Sequence, residues 1–575
     1  MEGGEASTGF YEWVKKRLQL EMLPHDIRGV VEEILERIEV ESSTLRLGGE
    51  EVLVRDFEDV VYPLELLLYR SGYASRLGDK RGLVVYILSN LIREWVREQL
   101  KIKPSIEVEV KHVTEREVLA DTIANEILSR YIIKTFYIPD PHKQVELGVY
   151  RYDGLRYVSF EEELKKEIME IVRERDELRQ RTTRWVVNEV ISKVKNLTRE
   201  PLRYERHVVA FKNTLFDWDV YVKTLSLRAS AIPPSPDIIV FHRIPWSLPV
   251  EVLDRLEGLP KYSEQLADLE KVAKEFTPKT LKAFKEWVGG RWILLYEIIG
   301  AILYPKHIKK AFLLVDAEGK EGDTGKSTYI RLLQKLIGRE NYSTVSLQEL
   351  TDPNYRFRAS RIYGKLANFY PDLPEKAVSN IGQFKALTGG DVITIERKHK
   401  EPFEWLPYTK HVFSCNIPPL VKGGDRAFWN RWIVIEFEGN FEKKIEYFEE
   451  TLLGEAPYTL LLGIIAFGKV IARGFKFSFE GTPEDAKRKW LMRCDNVYAF
   501  IQSMIEDGVL VEDREGRIKN KELYEMYCEW CKEREENPVD IRAFPNRLRM
   551  LGFKIKRTRD GTYVVGLRRT DQTTL

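Results

Sequence analysis

Hydrophobic positions recur along this chain with two periods, and the switches between them mark out its segments. Over the first hundred residues the period is helical. FYEWVKKRLQLEML, IRGVVEEILERIEV and GLVVYILSNLIREWVREQL each carry apolar residues at i, i+3 and i+4. That spacing predicts a helical module over residues 1–110. Between 111 and 254 the pattern mixes into an α/β region. VLADTIANEILSRYIIKTF reads as helix, and LGVYRYDGLRYVS alternates like two strands turning at Asp153-Gly154. FEEELKKEIMEIVRERDELRQ reads as a charged helix with a solvated face, HVVAFKNTLFDWD as strand and turn, and AIPPSPDII as a proline-rich break. Residues 255–310 turn helical again, with PKTLKAFKEWV amphipathic and WILLYEIIGAIL apolar, and read as a collar beside the segment that begins at 311.

From 311 to 485 strands and helices alternate. AFLLV has the uninterrupted apolar character of a buried parallel strand. A glycine-rich stretch, EGKEGDTGKST, leads into YIRLLQKLI, where Ile330, Leu333 and Ile337 fall at helical spacing. LANFY, DVITIE, KHVFSCN and WIVIEF are the further strands. The last segment, 486–575, opens with the helices VYAFIQSMIED and NKELYEMYCEWCKERE. A third helix, VDIRAFPNRLRMLG, has Asp540 as its expected N-cap and Gly552 as its stop. FKIKRTRDGTYVVGLRR then predicts two strands turning at Asp560-Gly561, and helices followed by a hairpin predict a winged helix. The expected fold class is therefore multidomain α/β.

Strand, glycine-rich loop and helix form the context of a phosphate-binding loop. Gly322 and Gly325 permit sharp turns that aim backbone N–H groups at phosphate oxygens, and the helix N-terminus adds its partial positive charge. Lys326 reaches the β- and γ-phosphates and the Ser327 hydroxyl holds Mg²⁺, with Asp323, Thr324 and Thr328 completing the nucleotide-binding set. One departure stands out. The pattern G-x-x-x-x-G-K-[ST] asks for glycine where Lys320 stands, and Gly319 lies one residue earlier. Either the loop is one residue longer or Lys320 tolerates the geometry. The competing reading is a glycine-rich turn capped by Asp323 or Thr324.

Further candidates follow at strand ends. Asp372, after LANFY, is placed to hold Mg²⁺ through water, with Glu375 a candidate for positioning the attacking water. Asn416, after KHVFSC, is placed to orient that water; its alternative role is to cap the turn before Ile417. In GGDRAFWNRWIVIEF, Arg426 and Arg431 are candidates for stabilising transition-state charge at a neighbouring subunit's site. Arg397, Lys398, His399 and Lys400 crowd one hairpin tip, a set suited to gripping nucleic-acid phosphates. A second basic concentration, Arg542, Arg547, Arg549, Lys554, Lys556, Arg557 and Arg559, points to duplex DNA, with the third C-terminal helix in a groove.

Composition narrows the setting more than the function. With 575 residues the chain supports several cores, and 91 Lys+Arg against 90 Asp+Glu says nothing about partners, so any nucleic-acid site rests on local clustering. Cys528 and Cys531 form a C-x-x-C without a second pair at zinc-ribbon spacing, inside a helix-like run. No secretory signal is visible in MEGGEASTGF, and YTLLLGIIAFGKVIA is shorter than a membrane span. A soluble cytoplasmic protein with no membrane partner is expected.

In order, GDTGKST, KLANFYPDL, FKALTGGDVITIERKHKEPF, HVFSCN and DRAFWNRWIVIEF resemble the superfamily 3 helicases of the AAA+ ATPases. The resemblance is to the phage and plasmid primase group, with the related poxvirus helicase-primase ATPase. YRYDG, VVNEVI, FKNTLFDWD and SPDIIVFHRIP resemble the α/β domain ahead of the helicase in that group, so the likeness runs over residues 115–569. It implies an ATP- and Mg²⁺-dependent replicative DNA helicase of a plasmid, phage or virus-like element. It further implies a homo-oligomeric ring of six, moving 3′ to 5′ on single-stranded DNA, opening forked DNA, and working with a separate primase or polymerase. By motif, Lys326 and Ser327 bind phosphate and Mg²⁺, Asp372 is the Walker B acid and Asn416 is sensor 1. Lys398 and His399 match the Lys-His pair of the viral pore hairpin. Asn430 replaces the first of two arginines common before the last motif's tryptophan, which favours Arg431 as the finger and leaves Arg426 as a second candidate. Two alternatives stand beside this. One is a helicase-primase with its polymerising site in residues 1–250, although 1–110 reads as too short and too helical for one. The other is an origin-binding ATPase without unwinding activity.

Overall fold

The structure, a computed structural model, describes residues 115–570 apart from 140–143, 175–182, 203–206, 260–265, 321, 353, 355–356, 358, 399 and 442–444, with short runs and single positions between 13 and 95. Two compact units emerge: residues 1–130 with 168–193, and residues 131–167 with 194–575. In the first, His25–Leu35 is helical and buries Val30, Val31, Ile34 and Leu35, as its spacing requires. Val84, Leu88 and Ile92 are likewise helical and buried; much of the remaining predicted helix lies outside the described residues. The module is not all helix. Ile38–Glu41, Thr44–Leu47 and Glu50–Leu53 pair as an antiparallel three-stranded sheet. IEVE and TLRL alternate and EEVL does not, and four residues each is too little to stand out against the helical period running into them.

The second unit opens with strands β1 (Ile133–Ile138), β2 (Val145–Tyr152), β3 (Tyr157–Ser159) and β4 (Arg199–Pro201), in the order β3-β2-β1-β4. The β2–β3 turn falls at Asp153-Gly154, with Gly154 at φ +94° and the Asp153 carboxylate accepting from the amides of Leu155 and Arg156. β1 corrects the sequence reading, which ran the preceding helix through YIIKTF. That helix stops at Arg130, and the β-branched and aromatic residues beyond it pleat. A small antiparallel sheet follows, β5 (Val208–Ala210), β6 (Leu215–Asp217) and β7 (Ala231–Ile232), in the order β7-β6-β5. Next come helices α1 (Pro278–Val288) and α2 (Trp292–Leu303).

The central sheet gathers β8 (Ala311–Asp316), β9 (Tyr342–Ser343), β10 (Ala367–Tyr370), β13 (Lys410–Ser414) and β14 (Trp432–Phe437) in the order β9-β10-β13-β8-β14, all parallel. Between β10 and β13 lies the antiparallel hairpin of β11 (Ile393–Arg397) and β12 (Lys400–Trp405). Helices α3 (Lys326–Ile337), α4 (Leu347–Thr351), α5 (Ile381–Gly389) and α6 (Arg426–Trp429) connect the strands. β8 is flanked on both sides and buried throughout, so its alternate residues feed two cores. Phe312 and Leu314 join an apolar cluster with Trp287, Trp292, Tyr296 and Tyr329. Leu313 and Val315 join the cluster on the other face, with Phe384, Phe413, Trp432 and Trp490.

Helix α7 (Ala456–Ala472) packs on α2 so closely that a Cβ on Gly300 would lie 2.1 Å from the carbonyl oxygen of Gly463. Among the described residues one helical run, Phe448–Ala472, is long and apolar enough to cross a membrane by length and composition; 67% of its apolar window is buried within the fold. The chain ends with α8 (Pro483–Cys494), α9 (Asn496–Glu506), β15 (Leu510–Lys519), α10 (Asn520–Glu533), α11 (Phe544–Leu551), β16 (Lys554–Thr558) and β17 (Gly561–Arg569). The three strands pair in the order β15-β17-β16. β15 was not predicted: a register shift between Asp513 and Arg517 breaks its alternation. α11 starts at Phe544, later than predicted, because the Asp540 carboxylate caps the turn before it, accepting from the Arg542 amide at 2.7 Å. Gly552 ends the helix at φ +105°. Gly300→Ala is expected to cost about 1–3 kcal/mol by overpacking the α2–α7 crossing, read as a lowered thermal midpoint in circular dichroism. An unchanged midpoint would show that the helices part freely there.

Candidate functional site

The site starts where β8 ends. Ala317–Lys320 forms a tight turn, closed by the Lys320 amide donating to the Ala317 carbonyl at 3.1 Å. Gly319, at φ +73°, takes the left-handed position in that turn. The glycine one residue early is therefore the one the loop uses, and Lys320 is not forced into that conformation. Gly322 (+76°), Asp323 (+47°) and Gly325 (+104°) also have positive φ. At Gly325 a Cβ would lie 2.4 Å from Cδ1 of Trp287, so glycine is required there by space as well as by conformation.

Gly325 is the N-cap of α3 and offers no side chain to cap it. The Thr324 hydroxyl donates to Oδ1 of Asp316 at 2.5 Å. The first-turn N–H groups of α3 and the Lys326 ammonium converge at this loop end, an arrangement whose charge suits an anion. Lys326 is buried and ion-pairs with Asp316, whose other oxygen accepts from the Gly322 amide at 3.2 Å. Ser327 is exposed and Thr328 half-buried, its hydroxyl accepting from Arg331 at 3.2 Å. Sequence reasoning missed Asp316, whose only signal is an acid closing an apolar strand.

The neighbouring strands bring in the other candidates. Asp372, exposed, follows β10, and the next residue, Leu373, donates its amide to the Ser414 carbonyl at the end of β13 (2.8 Å). The side-chain amide of Gln348 donates to the carbonyls of Pro374 and Lys376 at 2.7 and 2.9 Å, bracing the stretch that holds exposed Glu375. Asn416, exposed, follows β13 through Cys415, whose amide donates to the Leu314 carbonyl at 3.2 Å. Burial pushes the Cys415 thiol up to about 12; Lys326 pulls against that, and Asp372 and Asp316 add to it. One thiol thus feels the phosphate-loop lysine and both acids.

Arg493 of α8 also reaches this edge, again without a sequence signal. Its Nε donates to the Asp316 carbonyl at 3.2 Å and one Nη to Glu436 at 2.6 Å. Glu436 also pairs with Arg291 and Lys489, each at 3.1 Å. Burial opposes its ionisation, but Lys489 and Arg493 outweigh burial and hold the carboxyl at about 2.

The remaining candidates lie elsewhere. Arg431 precedes β14 and its carbonyl accepts from the Ala311 amide at 2.6 Å. Since β8 and β14 run parallel, Arg431 is at the sheet edge opposite Lys326. Its guanidinium donates to the carbonyls of Ala427 and Lys385 of its own chain, while Nε is buried without a partner. The Arg426 side chain is 81% exposed, with Glu484 3.6 Å away. At the hairpin, Lys398 and Lys400 are exposed, whereas Arg397 is half-buried with its guanidinium 4.8 Å from the centre of the Phe403 ring. His399 lies outside the described residues. In the C-terminal segment Arg549, Lys556 and Arg557 are exposed, but Arg547 is partly buried beside Asp495, 3.7 Å away, the N-cap of α9. Cys528 and Cys531 lie on α10, Cys531 in its apolar core.

Residues 317–431 match a family of unknown function, DUF5906. Two viral proteins are similar over about the same length. The putative helicase L207/L206 of Acanthamoeba polyphaga mimivirus is 33% identical over 132 residues, 22% of this chain and 13% of that protein. The putative helicase 184R of Invertebrate iridescent virus 6 is 30% identical over 139 residues, 22% of this chain and 14% of that protein. Over this stretch the chain is similar to two viral proteins that carry helicase names. The matched stretch is a small part of those relatives, so the likeness is regional. Among solved structures, the C-terminal region of NrS-1 aligns with a TM-score of 0.35 at 13% identity, covering 77% of this chain and 98% of that one. The JCV helicase aligns with a TM-score of 0.23 at 13% identity, covering 57% and 80%. Scores this low do not establish a shared fold.

The basic clasp on Glu436 makes a pH-dependent contribution. A carboxyl held below its ordinary value stabilises the fold above that value and loses this effect as it protonates. Glu436→Gln is therefore expected to lower the thermal midpoint at neutral pH, with the gap to the parent closing as pH falls from 4.5 towards about 2. A gap that persists unchanged through that window would contradict the assignment.

Proposed function

We propose that this chain is an ATP-dependent DNA helicase with a superfamily 3 AAA+ ATPase core over residues 311–485. In this reading 1–110 is an N-terminal module, 111–254 an α/β domain, 255–310 a collar and 486–575 a winged helix. One observation carries the reading. On adjacent parallel strands, the uncapped N-terminus of α3 with Lys326 and Ser327 lies beside the strand ends that lead to Asn416 and Asp372. That edge supplies a cationic cradle for a triphosphate, an exposed acid, and an exposed amide able to orient a water. The helicase-named viral relatives support the same class.

The donor set fits a magnesium ion. Ser327 offers an exposed hydroxyl, and the exposed Asp372 carboxylate makes no hydrogen bond or ion pair among the described residues. When bound there, Mg²⁺ would neutralise charge on the phosphate oxygens. Lys326 binds the β- and γ-phosphates, and Asn416 orients the attacking water. Arg431 lies at the far end of the sheet from its own chain's loop, and Arg493, which does reach the loop edge, is engaged by the Asp316 carbonyl and Glu436, so in this reading the arginine that balances transition-state charge comes from a neighbouring protomer, as in a ring. Arg426, extended into solvent, suits that role better than Arg431, which is spent on carbonyls of its own chain.

Lys398 and Lys400 at the hairpin tip supply phosphate contacts to a single strand. The order α9-β15-α10-α11-β16-β17, with β15-β17-β16 pairing, supports the winged-helix reading, in which the exposed Arg549, Lys556 and Arg557 would face duplex DNA. Viral names among the relatives favour a virus-like element, with a separate primase or polymerase as partner.

Lys326→Ala is expected to lower ATP hydrolysis by roughly a hundredfold or more and to abolish strand displacement from a forked duplex. Retained turnover would remove the phosphate-loop assignment. Hydrolysis without displacement in the parent protein would instead mark an ATP-driven switch. Arg426→Ala protomers mixed into the parent are expected to depress hydrolysis more steeply than dilution predicts; a linear decline would mean that each protomer works alone.

A further inference from the structure

The phosphate loop already holds an anion, and the anion is its own. The Asp316 carboxylate accepts from the Thr324 hydroxyl at 2.5 Å, from the Gly322 amide at 3.2 Å and from the Lys326 ammonium. Both members of the ion pair are about 95% buried, with exposures of 6% for Asp316 and 5% for Lys326. The Lys326 nitrogen is also 3.4 Å from the Thr324 hydroxyl, so carboxylate, ammonium and hydroxyl form one closed cluster. The N-cap of α3 is Gly325, which has no side chain to occupy the helix start. The groups drawn to the carboxylate include Lys326, which the proposed reading assigns to a triphosphate.

We infer that Asp316 is a positioning residue that acts as a displaceable placeholder for phosphate. With no nucleotide bound, its charge holds Lys326 and Gly322 at the loop and keeps a buried ammonium paired. When a di- or triphosphate arrives, Lys326 transfers to the phosphate oxygens. The carboxylate keeps its neutral donors, the Thr324 hydroxyl and the Gly322 amide, so it is not left bare by the exchange. The loop has room for such a shift around Gly319 and Gly322, where even an added Cβ would meet nothing within 4 Å. The consequence is a competition: nucleotide affinity is reduced by the fraction of loops whose lysine is engaged by the carboxylate. The placeholder also favours release of the product diphosphate, by recapturing the lysine.

This inference rests on the nucleotide-binding reading above, and the test separates the two. ADP affinity is measured by titration calorimetry on the full chain, alongside KM and kcat for ATP. Asp316→Asn keeps an acceptor for Gly322 and Thr324 but removes the charge; Asp316→Ser is carried in parallel. The placeholder role predicts ADP binding roughly five- to tenfold tighter in both variants, with KM and kcat falling together as product release slows. A carboxylate that merely braces the loop predicts the reverse, weaker binding and a higher KM. Unchanged or weaker ADP affinity would therefore overturn the inference. So would failure of both variants to fold, since a group needed for folding is not displaceable. If the parent chain itself binds no ADP, the nucleotide reading falls, and that result is distinct from either outcome.

Discussion

Where α3 begins, its backbone lies against the Trp287 indole so closely that position 325 has room for a hydrogen and nothing larger. The loop thus has a rigid floor, and that floor is built by the helices preceding the sheet. The Trp287 carbonyl accepts from the Glu438 amide at 2.8 Å, fastening α1 to the exit of β14. The start of α1 is held in turn by Glu455, whose carboxylate accepts from the amides of Lys279 and Thr280 at 3.0 and 2.9 Å. Tyr329, on the buried face of α3, donates its hydroxyl to the Leu295 carbonyl of α2 at 2.7 Å. On the nucleotide-binding reading, a loop that leaves its N–H groups open for a ligand cannot be rigidified by capping them. Here the rigidity comes from packing beneath it.

The sheet adds lateral order by burying polar groups with partners. In β10 the Asn368 amide accepts from the Ser343 hydroxyl and the Val345 amide at 2.9 and 2.8 Å and donates to the Val345 carbonyl at 2.8 Å. That fixes the edge strand β9 and the segment after it. At the base of β13, Lys410 is buried and donates to the carbonyls of Tyr304, Lys306 and Tyr408. Burial drives its ammonium far below its ordinary range, and three carbonyl oxygens are what it has in place of water. Such groups destabilise a misregistered sheet strongly, because a shifted strand would leave them without partners. Strand ends that carry Asp372 and Asn416 are therefore fixed relative to β8.

Periodicity made most of this architecture legible. AFLLV, LANFY, KHVFS and WIVIEF are apolar runs between turn signals, and each is a strand of the parallel sheet. Lys326 and Ser327 were identifiable because their chemistry sits at one helix start. What escaped has a common cause. Asp316, Trp287 and Arg493 act through contacts between segments distant in sequence, and each looks ordinary in its own neighbourhood: an acid ending a strand, an aromatic on an amphipathic helix, a base among bases. β15 and the strands of residues 38–53 were hidden by short length, charge and a broken register, which weaken a period-two signal. Clustered charge also misleads about exposure. Arg397 and Arg547 belong to basic runs, yet one lies against Phe403 and the other beside buried Asp495.

The same sheet that assembles one edge separates it from Arg431. Ala311 pairs with Trp432 and Asp316 with Phe437, so Arg431 and the phosphate loop stand at opposite ends of the same ladder. At about 3.3 Å per residue a six-residue strand spans roughly 17 Å, farther than a side chain reaches. No rotamer change closes that gap, because β8 and β14 pair in parallel along their whole length. At the loop end the guanidinium of Arg493 is held by the Asp316 carbonyl and Glu436, while Arg431 stands at the other end of the ladder. On the proposed helicase reading, head-to-tail association would let each end complete the other, and it would form a ring where the repeated rotation closes. On the helicase reading, the parallel sheet is thus the reason for oligomerisation as well as the platform for the loop.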